Sequence, residues 1–252
     1  MKDAQIQQIR DYFKPKTSFS RQELMDYFAL KEGAINPRTL GWRIYDLKQK
    51  SIIHELKRGV YTLNKKPEYY PPVDPGSEKL ARIFQEHFRD AGYCTWNMNI
   101  LNEFTQHQFT KDLLLFEVEK DLIESALNIF GDNGYTVFRL FQGSLITWSN
   151  IPRPVVIMPL ITRAPVQKIA AKNPRQVCVP TLEKLLVDIY NDEKVFGFLQ
   201  GSELRKIYEN ALNRYMVNYT TLFSYARRRG KELSIREYLR EHFQSILKTV
   251  IP

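Results

Sequence analysis

Residues 36–51 hold the side chains best suited to contact another macromolecule. Read as a helix at 100° per residue, Leu40, Ile44, Leu47 and Ser51 share one side, and Arg38, Trp42, Tyr45 and Gln49 share the other. The first set is a core face. The second is unusual for a solvated face, which ordinarily favours Glu, Lys and Ala. Arg pairs bidentately with guanine and Gln with adenine. A Tyr hydroxyl or a Trp indole N–H donates to phosphate, and an aromatic ring contacts a thymine methyl. Gly41 allows close backbone approach and flanks this face together with Lys48, while Arg43 borders the core side. No acid lies on the face, Asp46 being nearer the side. The expectation is that Arg38, Trp42, Tyr45 and Gln49 face the bases of double-stranded DNA, and that Arg43, Lys48, Lys57 and Arg58 neutralise phosphates. The competing reading reserves Trp42 and Tyr45 for a protein contact, because exposed aromatics also mark such surfaces.

Catalytic patterns are sparse. His54, His87, His107 and His242 are scattered without a His-x-x-x-His pair, and neither Cys94 nor Cys178 has a metal-ligand neighbour. No zinc site and no cofactor are expected. There is no Gly-x-x-x-x-Gly-Lys-Ser/Thr loop and no Gly-x-Ser-x-Gly elbow. A nucleotidyltransferase needs a Gly-Ser turn followed by a strand with alternating acids for magnesium. Gly143-Ser144 and Gly201-Ser202 supply turns, and Glu117-Val118-Glu119 supplies acids, but the acids precede both turns. Gly76-Ser77 lies too far upstream, and the strand after Gly143-Ser144, Val155-Val156-Ile157-Met158, carries no acid. The chain is read as a non-enzyme, with Glu117 and Glu119 on a solvated strand face.

The elements that position the 36–51 helix are legible around it. A first helix spans about Asp3 to Phe13, with Ile6, Ile9 and Phe13 on one face. Ser20-Arg21-Gln22-Glu23 fits a capping box ahead of Leu24, Tyr27 and Phe28. Asn36-Pro37 opens the third helix as cap and first-turn proline. Ile52 to Leu56 and Val60 to Leu63 then read as a hairpin turned at Lys57-Arg58-Gly59. Three helices and a hairpin predict an N-terminal winged helix-turn-helix over residues 1–66, whose third helix enters the major groove. Residues 67–76 carry four prolines and read as a semi-rigid linker. Residues 77–252 read as a mixed α+β body with a helical C-terminus, so the fold class is α+β. Its expected helices include Ser77 to Ala91, Asp121 to Phe130, one capped by Thr181, and a last one opened by a second capping box at Ser234-Ile235-Arg236-Glu237. Arg227-Arg228-Arg229-Gly230-Lys231, the densest basic cluster, reads as a helix end, where cations suit the dipole, with a contact to an acidic partner as the alternative.

Charge agrees with this division. The net charge is +9, and residues 1–66 hold 14 Lys/Arg against 7 Asp/Glu, while the remainder is nearly balanced. A basic head on a near-neutral body is the electrostatic form of a nucleic-acid binder. No apolar run approaches the length of a membrane span. The start lacks a signal-peptide pattern, and two cysteines make no disulfide framework, so a cytoplasmic location is expected.

With these residues placed, the chain resembles the AbiEi-type antitoxins of bacterial type IV toxin–antitoxin and abortive-infection systems. Leu56-Lys57-Arg58-Gly59-Val60-Tyr61-Thr62-Leu63 is similar to their Arg-Gly-aromatic wing. Val179-Pro180-Thr181-Leu182-Glu183-Lys184-Leu185-Leu186-Val187-Asp188 and the helical passage from Asn218 to Gly230 are further echoes. The resemblance implies a transcriptional regulator that represses its own operon through DNA, and an antitoxin domain over 77–252 that counteracts a nucleotidyltransferase toxin.

Overall fold

The computed structural model describes residues 1, 3–106, 108–110, 112–140, 151–172, 176–247 and 250. His107 and the Gly143-Ser144 turn lie outside the described residues. The N-terminal core gathers Ile6, Ile9 and Phe13 from α1 (Asp3–Phe13), Leu24, Tyr27 and Phe28 from α2 (Arg21–Glu32), and Leu40, Ile44 and Leu47 from α3 (Pro37–Gln49). Local chemistry fixes where these helices begin. The Ser20 hydroxyl accepts from the Glu23 N–H, and the Glu23 carboxylate accepts from the Ser20 N–H at 2.6 Å. Asn36 Oδ1 accepts from the Arg38 N–H at 2.8 Å, with Pro37 in the first turn. Ser51 does not extend the apolar face of α3 as expected. It lies beyond the helix end, exposed, with φ 53°. Strands β1 (Phe19–Ser20), β2 (His54–Lys57) and β3 (Val60–Thr62) form an antiparallel sheet in the order β1-β3-β2.

The body centres on a four-stranded sheet. Its strands are β4 (Tyr93–Asn97), β5 (Leu114–Val118), β6 (Val137–Arg139) and β7 (Val155–Pro159), in the order β4-β5-β7-β6. β4 runs antiparallel to β5, whereas β5, β7 and β6 are parallel. Strand alternation sorts the side chains into two layers. Leu114, Phe116 and Val118 pack with α4 (Pro75–His87) and α5 (Ile123–Asp132). Leu115, Val156 and Met158 face the C-terminal helices. A separate antiparallel pair, β8 (Val166–Ala170) and β9 (Gln176–Pro180), leads into those helices. They are α6 (Leu182–Asn191), α7 (Glu193–Phe196), α8 (Ser202–Arg214), α9 (Tyr219–Arg228) and α10 (Glu232–Leu247). The chain is therefore α+β with a helical C-terminal region.

Three expectations need correction. α4 starts at Pro75, capped by Asp74, because Asp74 Oδ1 accepts from the Gly76 and Ser77 N–H groups. α10 starts at Glu232, so Ser234 lies inside the helix and caps nothing. The proline-rich segment is not a free spacer. Tyr69 is only 5% exposed, its ring against Phe104 and Tyr215 at 5.3 and 5.0 Å between centroids. The Met216 N–H donates to the Pro67 carbonyl, and Lys66 Nζ donates to the Leu212 carbonyl. Extended proline-rich backbone here straps the head onto the body.

Candidate functional site

The outer face of α3 is open. Trp42 is 69% exposed and Tyr45 57%, and their rings meet edge to face with centroids 6.2 Å apart. Arg38 and Gln49 are also exposed. These four residues are brought together on one surface by helical spacing, while Leu40, Ile44 and Leu47 anchor the opposite side.

The other basic residues are placed differently from one another. Arg43 reaches back to Glu32 at 2.6 Å and stacks 4.4 Å from the Phe28 ring centroid. Lys48 is ion-paired with Glu55. Lys57 Nζ donates to the Val250 carbonyl at 2.5 Å, and burial pulls its pKa below the ordinary lysine value. Arg58 keeps an exposed side chain, while its backbone N–H donates to Thr220 Oγ1 at 3.1 Å. The β2–β3 hairpin is thus seated on α9, and Val60 belongs to the body core.

Sequence reading missed Arg21, which it took only as the second position of a capping box. Its backbone N–H donates to the Gly59 carbonyl at 2.7 Å, and its Nη2 donates to the Pro37 carbonyl at 3.2 Å. A Cβ on Gly41 would lie 3.9 Å from Arg21 Nη2, and one on Gly59 would lie 3.9 Å from Arg21 Cβ. Arg21 therefore sits exposed between the start of α3 and the hairpin turn. The signal was a cation in the first turn of a helix, where the macrodipole disfavours it.

A second cluster lies inside the body. Glu117 was expected on a solvated strand face; it is 4% exposed. Alternation on β5 turns it to the helical layer with Leu115, where Lys184 Nζ donates to both its oxygens at 2.6 and 2.7 Å. Lys184 is fully buried and also donates to Asp188 Oδ2 at 2.5 Å, one turn along α6. Tyr225 Oη donates to Asp188 Oδ1 at 2.8 Å, and Arg229 is ion-paired with Asp192. Burial pulls the Lys184 pKa down, but the Asp188 and Glu117 charges outweigh it and hold it well above the lysine range. Burial pushes the Glu117 carboxyl up, and the Lys184 charge offsets part of that. The hint in the sequence was a charge inside each of two apolar runs, Leu114 to Val118 and Leu182 to Ile189.

The arginine run at the end of α9 is consumed internally. Arg227 pairs with Glu232 at 2.6 Å, Arg228 donates to the Arg163 carbonyl at 2.8 Å, and Arg229 serves the buried cluster. Gly230, with φ 69°, closes the helix. Among the described residues, no group of His, Cys, Asp and Glu is placed to hold a metal ion. Glu119 does not join Glu117 as an alternating acid pair, since strand geometry sends neighbours two apart to one face only while β5 ends at Val118.

A family model described as a family of unknown function (DUF6577) matches residues 39–245. The chain belongs to this family. No curated protein matches it. The DUF6577 match opens inside α3, crosses the hairpin and the strap, and ends in α10. One family unit therefore includes Trp42, Tyr45, Gln49 and the whole Glu117–Lys184–Asp188 cluster, while Arg21 and Arg38 precede it. Among the described residues of this DUF6577 member, no helix is long and apolar enough to cross a membrane.

Proposed function

We propose that residues 3–62 are a winged helix that binds double-stranded DNA through the outer face of α3. In this reading the DUF6577 chain is a cytoplasmic autoregulator of antitoxin type, directed against a nucleotidyltransferase toxin. The observation that carries DNA binding is the open, acid-free face on which Trp42 and Tyr45 stand beside Arg38 and Gln49. Monomer surfaces rarely expose two adjoining large aromatics without a partner for them. The antitoxin part rests on the sequence resemblance.

The geometry refines the division of labour. Gln49 and Arg38 serve base edges, and Arg21 and Arg58 serve phosphates on either side of the α3 start. Arg43 and Lys48 already hold carboxylates, and Lys57 is committed to the Val250 carbonyl, so these three contribute less. Phosphate contacts set affinity and salt dependence, whereas base contacts set specificity.

The test is a mobility-shift titration with DNA from upstream of the chain's own reading frame, at two salt concentrations, against scrambled DNA. Specific, salt-sensitive binding is expected, and an Arg38→Ala/Arg58→Ala variant loses it while keeping its melting temperature. Binding equal to scrambled DNA overturns the reading and favours Trp42 and Tyr45 as a protein-docking surface.

A further inference from the structure

Between α6, α8 and α10 lies a cleft of about 520 Å³ with a polar lining that includes two cations. Arg205, Lys231 and His242 line it, with Glu193 as the acid among them. Among the described residues, neither Arg205 nor Lys231 has a carboxylate partner, whereas Lys206 beside Arg205 is paired with Glu209. Ser202 and Ser234 line the same space. Tyr238 forms one wall, its ring 4.7 Å from that of His242 and 5.4 Å from that of Tyr190. The Tyr238 hydroxyl is shut off from water and has no hydrogen-bond partner among the described residues. Burial pushes its pKa up to about 12, while the charge of Arg205 pulls the other way. Two cations that line one cleft, with no carboxylate partner among the described residues, call for an anion.

We infer that this cleft binds a phosphorylated ligand of nucleotide size, its phosphate held by Arg205 and Lys231 with donation from Ser202 and Ser234. Arg matches the paired oxygens of a phosphate, and Lys acts as a point charge beside it. The volume falls within the range of small-ligand sites. The Tyr238 ring gives a heterocyclic base a surface to stack on, with the His242 ring edge to face beside it at 70°. The site is remote in sequence from the α3 face, and it requires no DNA binding to operate.

Isothermal titration of the full chain with AMP, inorganic phosphate and adenosine tests this. AMP is expected to bind at sub-millimolar Kd, phosphate more weakly, and adenosine not measurably. The Arg205→Ala/Lys231→Ala variant is expected to weaken AMP at least about tenfold, as loss of charge-assisted bonds requires. Its melting temperature without ligand should match the parent, since neither side chain has a carboxylate partner among the described residues. Arg38→Ala leaves AMP binding unchanged, which separates this site from the DNA face. Adenosine binding as well as AMP, AMP binding untouched in the double variant, or no AMP binding up to millimolar concentration each overturns the proposal.

Discussion

Lys184 shows how much can hang on one side chain. Its ammonium balances Glu117 and Asp188 where no water reaches, so Lys184→Met would leave Glu117 buried without a counter-charge and Asp188 with only Arg229, 3.7 Å away. Breaking a buried pair from one side typically costs about 3–5 kcal/mol. Urea denaturation is expected to show a loss of that order for Lys184→Met. Lys184→Met/Glu117→Gln/Asp188→Asn should lose less than the single variant, because it buries no orphaned charge. A single-variant loss under about 1 kcal/mol would mean that solvent reaches the cluster. Glu232 makes the opposite kind of contribution, near the surface. Its hydrogen bond with Arg227 leads in lowering its pKa from 4.5 to about 2, against burial and with help from Arg236. A folded-state pKa below the unfolded one gives stability that is full above pH 4.5 and is lost as pH falls toward 2. Melting temperatures measured across that interval should fall more steeply for the parent than for Glu232→Gln.

The elements divide by the range of the forces that form them. Ser20, Asn36 and Thr181 cap helices through bonds within four residues, so sequence alone located all three starts. Asn36→Ala should accordingly cost about 1 kcal/mol, read as a shifted denaturation midpoint. An unchanged midpoint would mean that packing of Leu40 and Ile44, not the cap, fixes the start of α3. Ser234 carries the same local signature as Ser20 yet lies inside α10, which starts three residues sooner, at Glu232, where the carboxylate accepts from Arg227 and Arg236. Strand β4 had no alternation to reveal it. All five of its residues are buried, polar Thr95 and Asn97 included, and Thr95 is satisfied only by the Leu115 carbonyl across the sheet. Of the candidate site, the α3 face was readable because helical spacing is local. Arg21 and Lys184 were not, since their meaning depends on partners from Gly59 and Glu117, brought together by the fold.

At the scale of the whole molecule, the hairpin is shared property. Val60 is part of the body core, Arg58 bonds to Thr220 on α9, and Tyr69 locks the strap beneath Phe104 and Tyr215. These contacts bridge head and body beside a cavity of about 230 Å³ lined by Thr62, Lys66, Leu212 and Met216, and a domain boundary is a place where few contacts cross. The parent chain is expected to melt in a single transition and to resist proteolysis between residues 64 and 74. Tyr69→Ala removes the ring that buries the strap, a large-to-small change that costs about 3–5 kcal/mol when it empties a core site. The loss falls on the junction and spares the core of α1 to α3, whose residues form a separate cluster. Calorimetry of Tyr69→Ala should therefore show two transitions, and limited proteolysis should cut near the strap. DNA affinity should survive in that variant if α3 alone reads DNA, with a smaller salt dependence if docking on the body is what holds Arg58 in place. A single transition in Tyr69→Ala would show that the hairpin contacts of Val60 and Arg58 suffice to bind head and body into one folding unit.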